Sequence, residues 1–326
     1  MKPTSDTNTD INLGWGEPYL LREVLISRGV LNYRGRQGPI VSEYVPNRYA
    51  KHPLEDKMRA VLKDLTGLSY DHVVLCAGAT LGIVSSLRAL SHEYGIDTVE
   101  YDALHYPNYP NIVKNSLLTV NDVPGVVSKI TLTASPSNPL GEISKTSNKL
   151  TLWDMAYHSP TYMKNLNLFP QHKVSVGSFS KFLAVPGLRL GWVAFNDRDL
   201  CVHKLWRESR ELALGYSVES ADIVDSIMDY DKIRPSLELA GKMIDDNREE
   251  ISKLEKFMSG ERVPENGMFY FGRSDVLQKY MERCKITFTE GLSCGGSEDH
   301  MRISLGQTRE ITREAVSRVL KEDRRG

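Results

Sequence analysis

The sequence predicts an α/β protein with a mostly parallel sheet sandwiched by helices in a large domain, and with a smaller α/β domain. Short apolar runs alternate with helical stretches from about residue 70 to residue 195, as in repeated strand–helix–strand units. A chain of 326 residues that is 40% hydrophobic can form one large and one small core. An amphipathic run from Pro235 to Met258 is typical of a helix that joins two domains.

The domain boundaries follow from breaks in this pattern. We expect a large domain over residues 45–230 and a small domain that combines residues 11–44 with residues 231–326. The first ten residues, MKPTSDTNTD, are polar and predict a flexible N-terminal arm. They also lack the basic-then-apolar pattern of a signal peptide.

Composition excludes several classes of protein. The formal net charge of -1 provides no basic patch for nucleic acid, and no run approaches the roughly 20 apolar residues of a membrane span. The cysteines have no metal-ligand spacing, so we expect reduced thiols and no metal site. The sequence therefore predicts a cytoplasmic protein that has neither a nucleic-acid nor a membrane partner.

The N-terminal third contains a loop, a helix and a candidate anion site. Two glycines and a proline in residues 12–18 (NLGWGEP) favour an irregular loop. A helical pattern begins at Pro53 and stops at Gly67. The strand predicted at residues 72–76 runs into a small-residue turn and then a helix from Leu81, so free N–H groups at the helix start face the turn. Either a phosphate binds this turn or it is a bare connection, and it lacks the Gly-Lys ending of a Walker A loop.

Polar loops follow each of the next predicted strands. Because open α/β sheets bind ligands beyond the carboxyl ends of their strands, these loops predict one site. The predicted strands are residues 99–101, 129–133, 150–153, 174–176 and 191–195.

The C-terminal part predicts helices and two further strands. Residues 199–230 favour helices, residues 267–271 a strand and residues 275–284 a helix. A strand over residues 300–306 carries Arg302. An arginine in a strand either pairs structurally or binds a carboxylate through two N–H groups, a geometry that lysine lacks.

Four segments resemble, in order, motifs of the fold-type I pyridoxal 5'-phosphate (PLP) dependent aminotransferases, the class I and II family. Residues 135–141 (SPSNPLG) resemble PxNPxG, and residues 154–157 (DMAY) resemble DxAY. Residues 178–181 (SFSK), predicted as a loop, resemble SxSK with Arg189 eight positions on, and residues 302–304 (RIS) complete the set. A longer stretch, DMAYHSPTYM, is more weakly similar to the alliinase and plant tryptophan aminotransferase branch.

The resemblance implies the fold type I architecture, PLP as cofactor and a role for each matching residue. Lys181 would form the Schiff base with PLP and move the substrate's Cα proton. Asp154 would pair with the pyridine nitrogen, Asn138 and Tyr157 would hydrogen-bond the phenolic oxygen, and Tyr106 would lie on the ring. The residues that would hold the phosphate are Gly78, Ala79, Thr80, Ser178, Ser180 and Arg189.

The same resemblance implies substrate contacts and a partner. Arg302 would bind the α-carboxylate of the amino acid, with Asn138, Gly16 and Trp15 beside it. Tyr49 would reach the phosphate of a neighbouring subunit in a homodimer, although Tyr44 is a competitor and a packing role is equally open. The substrate's side chain is not determined, but its pocket has further candidates in Tyr19, His105 and Tyr109.

The predicted function is transfer of an amino group from an α-amino acid to a 2-oxo acid. An amino-acid α-decarboxylase and a β-eliminating lyase use the same residue types and stay as alternatives. A non-catalytic PLP-binding module of a transcription regulator is a third, but no spare helix-turn-helix segment is present in the sequence.

Overall fold

The structure of the chain is a computed structural model. It describes residues 10–14, 16–31, 51–120, 129–144, 150–166, 174–197, 199–201, 204–205, 208, 215–259 and 263–324. The predicted site residues Trp15 and Tyr49, with the alternative Tyr44, lie outside these ranges.

A seven-stranded sheet forms the centre of the described structure. Its order is β2-β8-β7-β6-β5-β3-β4, and every neighbouring pair is parallel except the pairs that β8 makes with β2 and β7. The prediction of a mostly parallel sheet is therefore confirmed. The strands are β2 (His72–Cys76), β3 (Thr98–Glu100), β4 (Thr119–Val120), β5 (Ile130–Ala134), β6 (Thr151–Asp154), β7 (Val174–Ser178) and β8 (Gly191–Phe195).

Both faces of this sheet are covered by apolar side chains. Successive residues of β2 enter different cores, with Val73 and Leu75 in one and Val74 and Cys76 in the other, as the two-residue period of a strand requires. Strands β6, β7 and β8 are buried along their whole length. Burial on both faces explains why these strands are continuous apolar runs in the sequence.

Helices pack on the faces of the sheet and around the smaller sheets. The helix Pro53–Thr66 has a clear signal at each end. At its start the side chain of His52 accepts the N–H of Leu54, and at its end Gly67 has φ 70°. The helices are α1 (Tyr19–Ser27), α2 (Pro53–Thr66), α3 (Ala79–Tyr94), α4 (Tyr109–Asn115), α5 (Phe179–Phe182), α6 (Val218–Ile227), α7 (Tyr230–Ser252), α8 (Asp275–Arg283) and α9 (Arg309–Asp323).

Two small sheets lie beside the large one. One is the antiparallel sheet β11-β12-β9, and the other is the parallel pair β1-β10. Helices α1 and α9 both pack against α7. These strands are β1 (Ile11–Asn12), β9 (Phe269–Arg273), β10 (Ile286–Thr287), β11 (Thr289–Glu290) and β12 (His300–Ser304).

The predicted bounds of the long helix need correction. It begins at Tyr230, and Pro235 lies inside it. The start is fixed by Asp229, whose side chain accepts the N–H of Lys232 and so satisfies a free donor of the first turn. The α-helix ends at Ser252 and does not continue to Met258.

None of the helices in the described part of the chain is both long and apolar enough to cross a membrane.

Candidate active site

A cavity of about 550 Å³ opens beyond the carboxyl ends of β5, β6 and β7. Its position is the one expected for a ligand in an open α/β sheet. It brings together residues that are far apart in the sequence. The predicted site residues that line it are Gly16, Ala79, Thr80, Tyr106, Asn138, Asp154, Tyr157, Ser178, Ser180, Lys181, Arg189 and Arg302.

Lys181 lies on a short helix and not on the loop that the sequence predicted. The Ser178 hydroxyl accepts the N–H of Ser180 at 3.1 Å, and this cap starts α5 directly at the end of β7. The Lys181 amine donates a hydrogen bond to the carbonyl of Gly16. Burial lowers the pKa of Lys181 to about 8, and the nearby carboxylate of Glu17 opposes that change.

One end of the cavity is suited to an anion. Gly78 is the N-cap of α3 at φ 84°, and the first N–H groups of a helix have no partner within it. The guanidinium of Arg189 lies against Gly78, so close that a methyl group on Gly78 would be 2.9 Å from Nη2. The hydroxyl of Ser180 is buried and has no hydrogen-bond partner within the described ranges. A cation, helix N–H groups and an unpaired hydroxyl together fit a phosphate.

Asp154 is a buried carboxylate at the end of β6, with an exposed fraction of 7%. One carboxylate oxygen accepts the N–H of Ala156 at 2.9 Å, and the other accepts the hydroxyl of Tyr109 at 3.0 Å. Burial raises the pKa of Asp154, and these two hydrogen bonds oppose the increase. Ala156 lies in a turn, so Asp154 does not cap a helix here.

Arg302 reaches the cavity from β12 and contacts Asn138. Its Nη1 donates to Asn138 Oδ1 at 3.0 Å, and its Nη2 donates to Thr289 Oγ1 at 3.3 Å. The guanidinium lies over the ring of Phe269, with its central carbon 4.2 Å from the ring centroid. Its Nε is buried without a partner in the described residues. The peptide bond between Asn138 and Pro139 is cis.

Tyr157 and Tyr106 complete the walls. The ring of Tyr157 contacts Tyr162 and Phe269 edge-on, with centroids 5.3 Å and 5.7 Å away, and burial raises the pKa of its hydroxyl. Tyr106 contacts Tyr109 edge-on at 5.6 Å.

Three residues predicted as candidates for the substrate pocket do not line the cavity. Tyr19, His105 and Tyr109 are not among its described lining residues. Tyr19 lies under the guanidinium of Arg22, and His105 Nδ1 lies 2.9 Å from the carbonyl of Ala103. Tyr109 is buried behind Asp154.

Other residues of the cavity wall had little or no signal in the sequence and were not predicted. Glu17 lies within the predicted loop of residues 12–18, and that position was its only signal. Thr289 and Ser293 also line the cavity, and the sequence contained no signal for either. Thr289 reaches the site because β11 pairs with β12, which places Thr289 opposite Arg302.

The donor set fits PLP. The cavity offers an anion site for a phosphate, a buried amine for an aldehyde and a buried carboxylate for a ring nitrogen. Within the described ranges, no group of three or more His, Cys, Asp or Glu residues could hold a metal ion.

Comparison with solved structures shows the same fold. A Methanococcus jannaschii protein, described as similar in its active site to kynurenine aminotransferases, has a TM-score of 0.73 at 18% identity over 98% of this chain and 93% of that chain. A Thermus thermophilus aspartate aminotransferase mutant has a TM-score of 0.74 at 15% identity over 98% of this chain and 99% of that chain. An aminotransferase from Mycobacterium tuberculosis has a TM-score of 0.72 at 18% identity over 97% of this chain and 92% of that chain.

The model of the family "Aminotransferase class I and II" matches residues 10–319, which is most of the chain. This match agrees with the motifs of the sequence and with the cavity. The chain therefore belongs to the class I and II aminotransferases, the fold-type I enzymes that transfer amino groups with PLP.

Proposed function

We propose that this aminotransferase carries PLP on Lys181 and moves an amino group from an α-amino acid to a 2-oxo acid in the cavity described above. One observation carries the proposal: the buried Lys181 amine lies in the same cavity as an anion site, the Asp154 carboxylate and the Arg302 guanidinium. Each of these groups has a separate task in amino-group transfer.

Bound PLP supplies an aldehyde that condenses with amines and a ring that withdraws electrons from the adjacent carbon. Lys181 is suited to attach the cofactor and then to move a proton. Because burial lowers its pKa to about 8, a substantial fraction of the amine is neutral slightly above neutral pH. We assign to Lys181 Nζ both the removal of the proton from the substrate's Cα and its later return.

Three side chains would orient and polarise the cofactor. Asp154 would hold its ring nitrogen, and Asn138 and Tyr157 would donate to its phenolic oxygen. The amide oxygen of Asn138 already accepts a hydrogen bond from Nη1 of Arg302, so the amide N–H groups of Asn138 stay available as donors. The contact between Asn138 and Arg302 therefore couples the cofactor end of the site to the substrate end.

Arg302 would bind the substrate's carboxylate. Its guanidinium is held by Asn138, Thr289 and the face of Phe269, and its Nε has no partner in the described part of the chain. A fixed guanidinium with an unused donor favours a carboxylate ligand. The phosphate would bind Arg189, Ser180, Ser178 and the start of α3 at Gly78.

We also propose a cytoplasmic homodimer with its site at the subunit interface and Tyr49 reaching the partner's phosphate. Cys76 and Cys294 are buried thiols, which supports a reducing compartment. Light scattering should give twice the monomer mass. Mixing Lys181→Ala with Tyr49→Ala protein should restore activity, because a hybrid dimer contains one intact site. No recovery would count against a shared site.

We also propose that residues 45–230 form a large domain and that residues 11–44 and 231–326 together form a small one. The separate small sheets formed by β1, β9, β10, β11 and β12 support it.

The replacement Lys181→Ala tests the central proposal. We expect loss of the absorbance of covalently attached PLP and loss of turnover, since Lys181 is the only lysine among the described residues that line the cavity. Lys279→Ala, on the exposed face of α8, is the matched control and should retain both properties. Retained turnover in Lys181→Ala would contradict the assignment.

Product analysis separates amino-group transfer from the alternatives. Amino acids should be offered with pyruvate, 2-oxoglutarate or glyoxylate, and both products should be identified. A new amino acid with a new 2-oxo acid supports the proposal. Carbon dioxide, or pyruvate with ammonia in the absence of an acceptor, would indicate decarboxylation or β-elimination.

A further inference from the structure

A buried hydrogen bond links Asp154, which lines the cavity, to Tyr109. The phenol oxygen of Tyr109 lies 3.0 Å from Asp154 Oδ2, and both residues are buried, with exposed fractions of 2% and 7%. Tyr109 is not among the described residues that line the cavity, so the cofactor does not account for this contact.

Asp154 needs such a donor in order to stay charged. A carboxylate with this burial loses most of its hydration, and burial raises its pKa. Within the described residues, no lysine, arginine or histidine forms an ion pair with Asp154. Only the N–H of Ala156 and the hydroxyl of Tyr109 oppose the increase.

The titratable neighbours of Asp154 are tyrosines. Tyr106 and Tyr109 face it from the α4 side, and Tyr157 lies three positions further along its own loop. Burial raises the pKa of all three hydroxyls, so these groups are neutral. A charged carboxylate can only accept, so Tyr109 is the donor in its hydrogen bond to the charged form of Asp154. Tyr109 is thus the one described side chain that stabilises the charged form of Asp154 by direct contact.

The surroundings of Tyr109 fix the direction of its hydroxyl. It is the first residue of α4, and its N–H donates to the carbonyl of Tyr106 at 2.9 Å. Its ring contacts Tyr101 and Tyr106 edge-on, with centroids 5.8 Å and 5.6 Å away, and stacks with His105 at 6.4 Å. A ring held on several sides keeps its donor in place with little further loss of entropy.

We propose that Tyr109 is a positioning residue that holds Asp154 in its charged form and so keeps the ring nitrogen of bound PLP protonated. The inference rests on the proposed role of Asp154 and extends it to a residue outside the cavity. The electron-withdrawing power of bound PLP would then depend on the hydroxyl of Tyr109, which is not among the described residues that line the cavity.

The test compares Tyr109→Phe with Tyr70→Phe. Both changes remove one buried phenol hydroxyl and keep the ring, but the hydroxyl of Tyr70 contacts Ser175 Oγ at 3.0 Å and that of Tyr109 contacts Asp154. Infrared difference spectra of each full-length protein against its own Asp154→Asn form isolate the Asp154 carboxyl band, and a pH series gives its midpoint. Nuclear magnetic resonance of PLP labelled with ¹⁵N at the ring nitrogen reports protonation in the holoenzyme.

We expect Tyr109→Phe to raise the pH midpoint of Asp154 by about one to two units, because a hydrogen bond to a charged group is lost. The ¹⁵N signal should move towards that of an unprotonated pyridine, and PLP should bind about tenfold more weakly. Tyr70→Phe should change none of the three.

Different results separate this inference from the proposed function. An unchanged midpoint and ¹⁵N signal in Tyr109→Phe would overturn the inference and leave the function standing. Equal changes in Tyr70→Phe would also overturn it, because the effect would then be general loss of packing. Full PLP affinity and turnover in Asp154→Asn would remove the proposed role of Asp154 itself.

Discussion

At Lys181, burial and neighbouring charges act on one amine in opposite directions. Burial lowers the pKa of Lys181, the carboxylate of Glu17 raises it, and the guanidinium of Arg22 lowers it. Glu17 and Arg22 also form an ion pair at 3.3 Å. Removing either member therefore leaves the other charge uncompensated near the amine.

We expect Glu17→Gln to lower the pKa of Lys181 from about 8 by roughly half a unit to one unit, and Arg22→Met to raise it. The measurement is the rate at which the cofactor-free protein takes up PLP as a function of pH, since uptake requires the neutral amine. The midpoint should move down in the first variant and up in the second. Shifts in the same direction would contradict the assignment of opposing charges.

The sequence identified the residues of this site better than it identified their contacts. Asp154 and Lys181 were found through the DxAY and SxSK motifs, which come after predicted apolar strands, and strand ends meet at one edge of a sheet. The bond between Tyr109 and Asp154 joins residues 45 positions apart, and the one between Lys181 and Gly16 spans 165 positions. No local pattern contains such distances, so these contacts required the fold.

At the level of elements, the start of α3 depends on a residue without a side chain. Gly78 has φ 84°, a conformation that L-residues rarely adopt, and the Arg189 guanidinium fills the space beside it. The same glycine therefore makes the turn and admits the cation of the anion site.

Gly78→Ala should lose stability and PLP affinity, whereas Gly67→Ala should lose stability alone. Gly67 has φ 70°, but no atom lies within 4 Å of the position that a Cβ would take there, so it shares the backbone strain without the contact to Arg189. We expect both changes to reduce the free energy of unfolding by about 1 to 2 kcal/mol. Only Gly78→Ala should weaken PLP binding, by about tenfold.

Urea unfolding and equilibrium dialysis against PLP provide the two measurements. Equal loss of PLP affinity in both variants would show that the effect arises from strain and not from displacement of Arg189.

The bounds of helices and strands were predicted correctly where several local signals agreed. They were misplaced where they depended on a weak signal or on contacts with distant residues. The bounds of α2 were clear because a proline start, an apolar face and Gly67 coincide. The start of α7 was misplaced because Pro235 outweighed the cap at Asp229. The antiparallel direction of β8 was not evident, because a strand buried on both faces has the same apolar run in either direction.

For the whole molecule, one buried carboxyl group links stability to pH. Glu55 on α2 is buried, with an exposed fraction of 4%, and accepts the N–H of Leu75 in β2 at 3.1 Å. Burial raises its pKa from 4.5 to about 7. Between these values the folded protein keeps a proton that the unfolded chain releases, so this group lowers stability as pH rises from 4.5 to 7.

His158 has the opposite effect in an overlapping range of pH. Burial lowers its pKa from 6.5 to about 4, so its contribution to stability is complete above pH 6.5 and is lost as pH falls towards 4. The two effects partly cancel in the wild-type protein. A difference between a Glu55 variant and the wild type removes the His158 contribution, which is common to both.

We therefore expect Glu55→Gln to gain stability relative to the wild type as pH rises from 4.5 to 7, by about 2 to 3 kcal/mol in total, and to gain no more above pH 7. The glutamine oxygen still accepts the N–H of Leu75, so the hydrogen bond is retained. Urea unfolding across this range, at one fixed PLP concentration, measures the difference. Glu249→Gln, an exposed carboxylate on α7, should give a difference that is flat with pH. A flat difference for Glu55→Gln as well would mean that the pKa of Glu55 is the same in the folded protein as in the unfolded chain, and that the Leu75 N–H and the neighbouring charges fully offset the effect of burial.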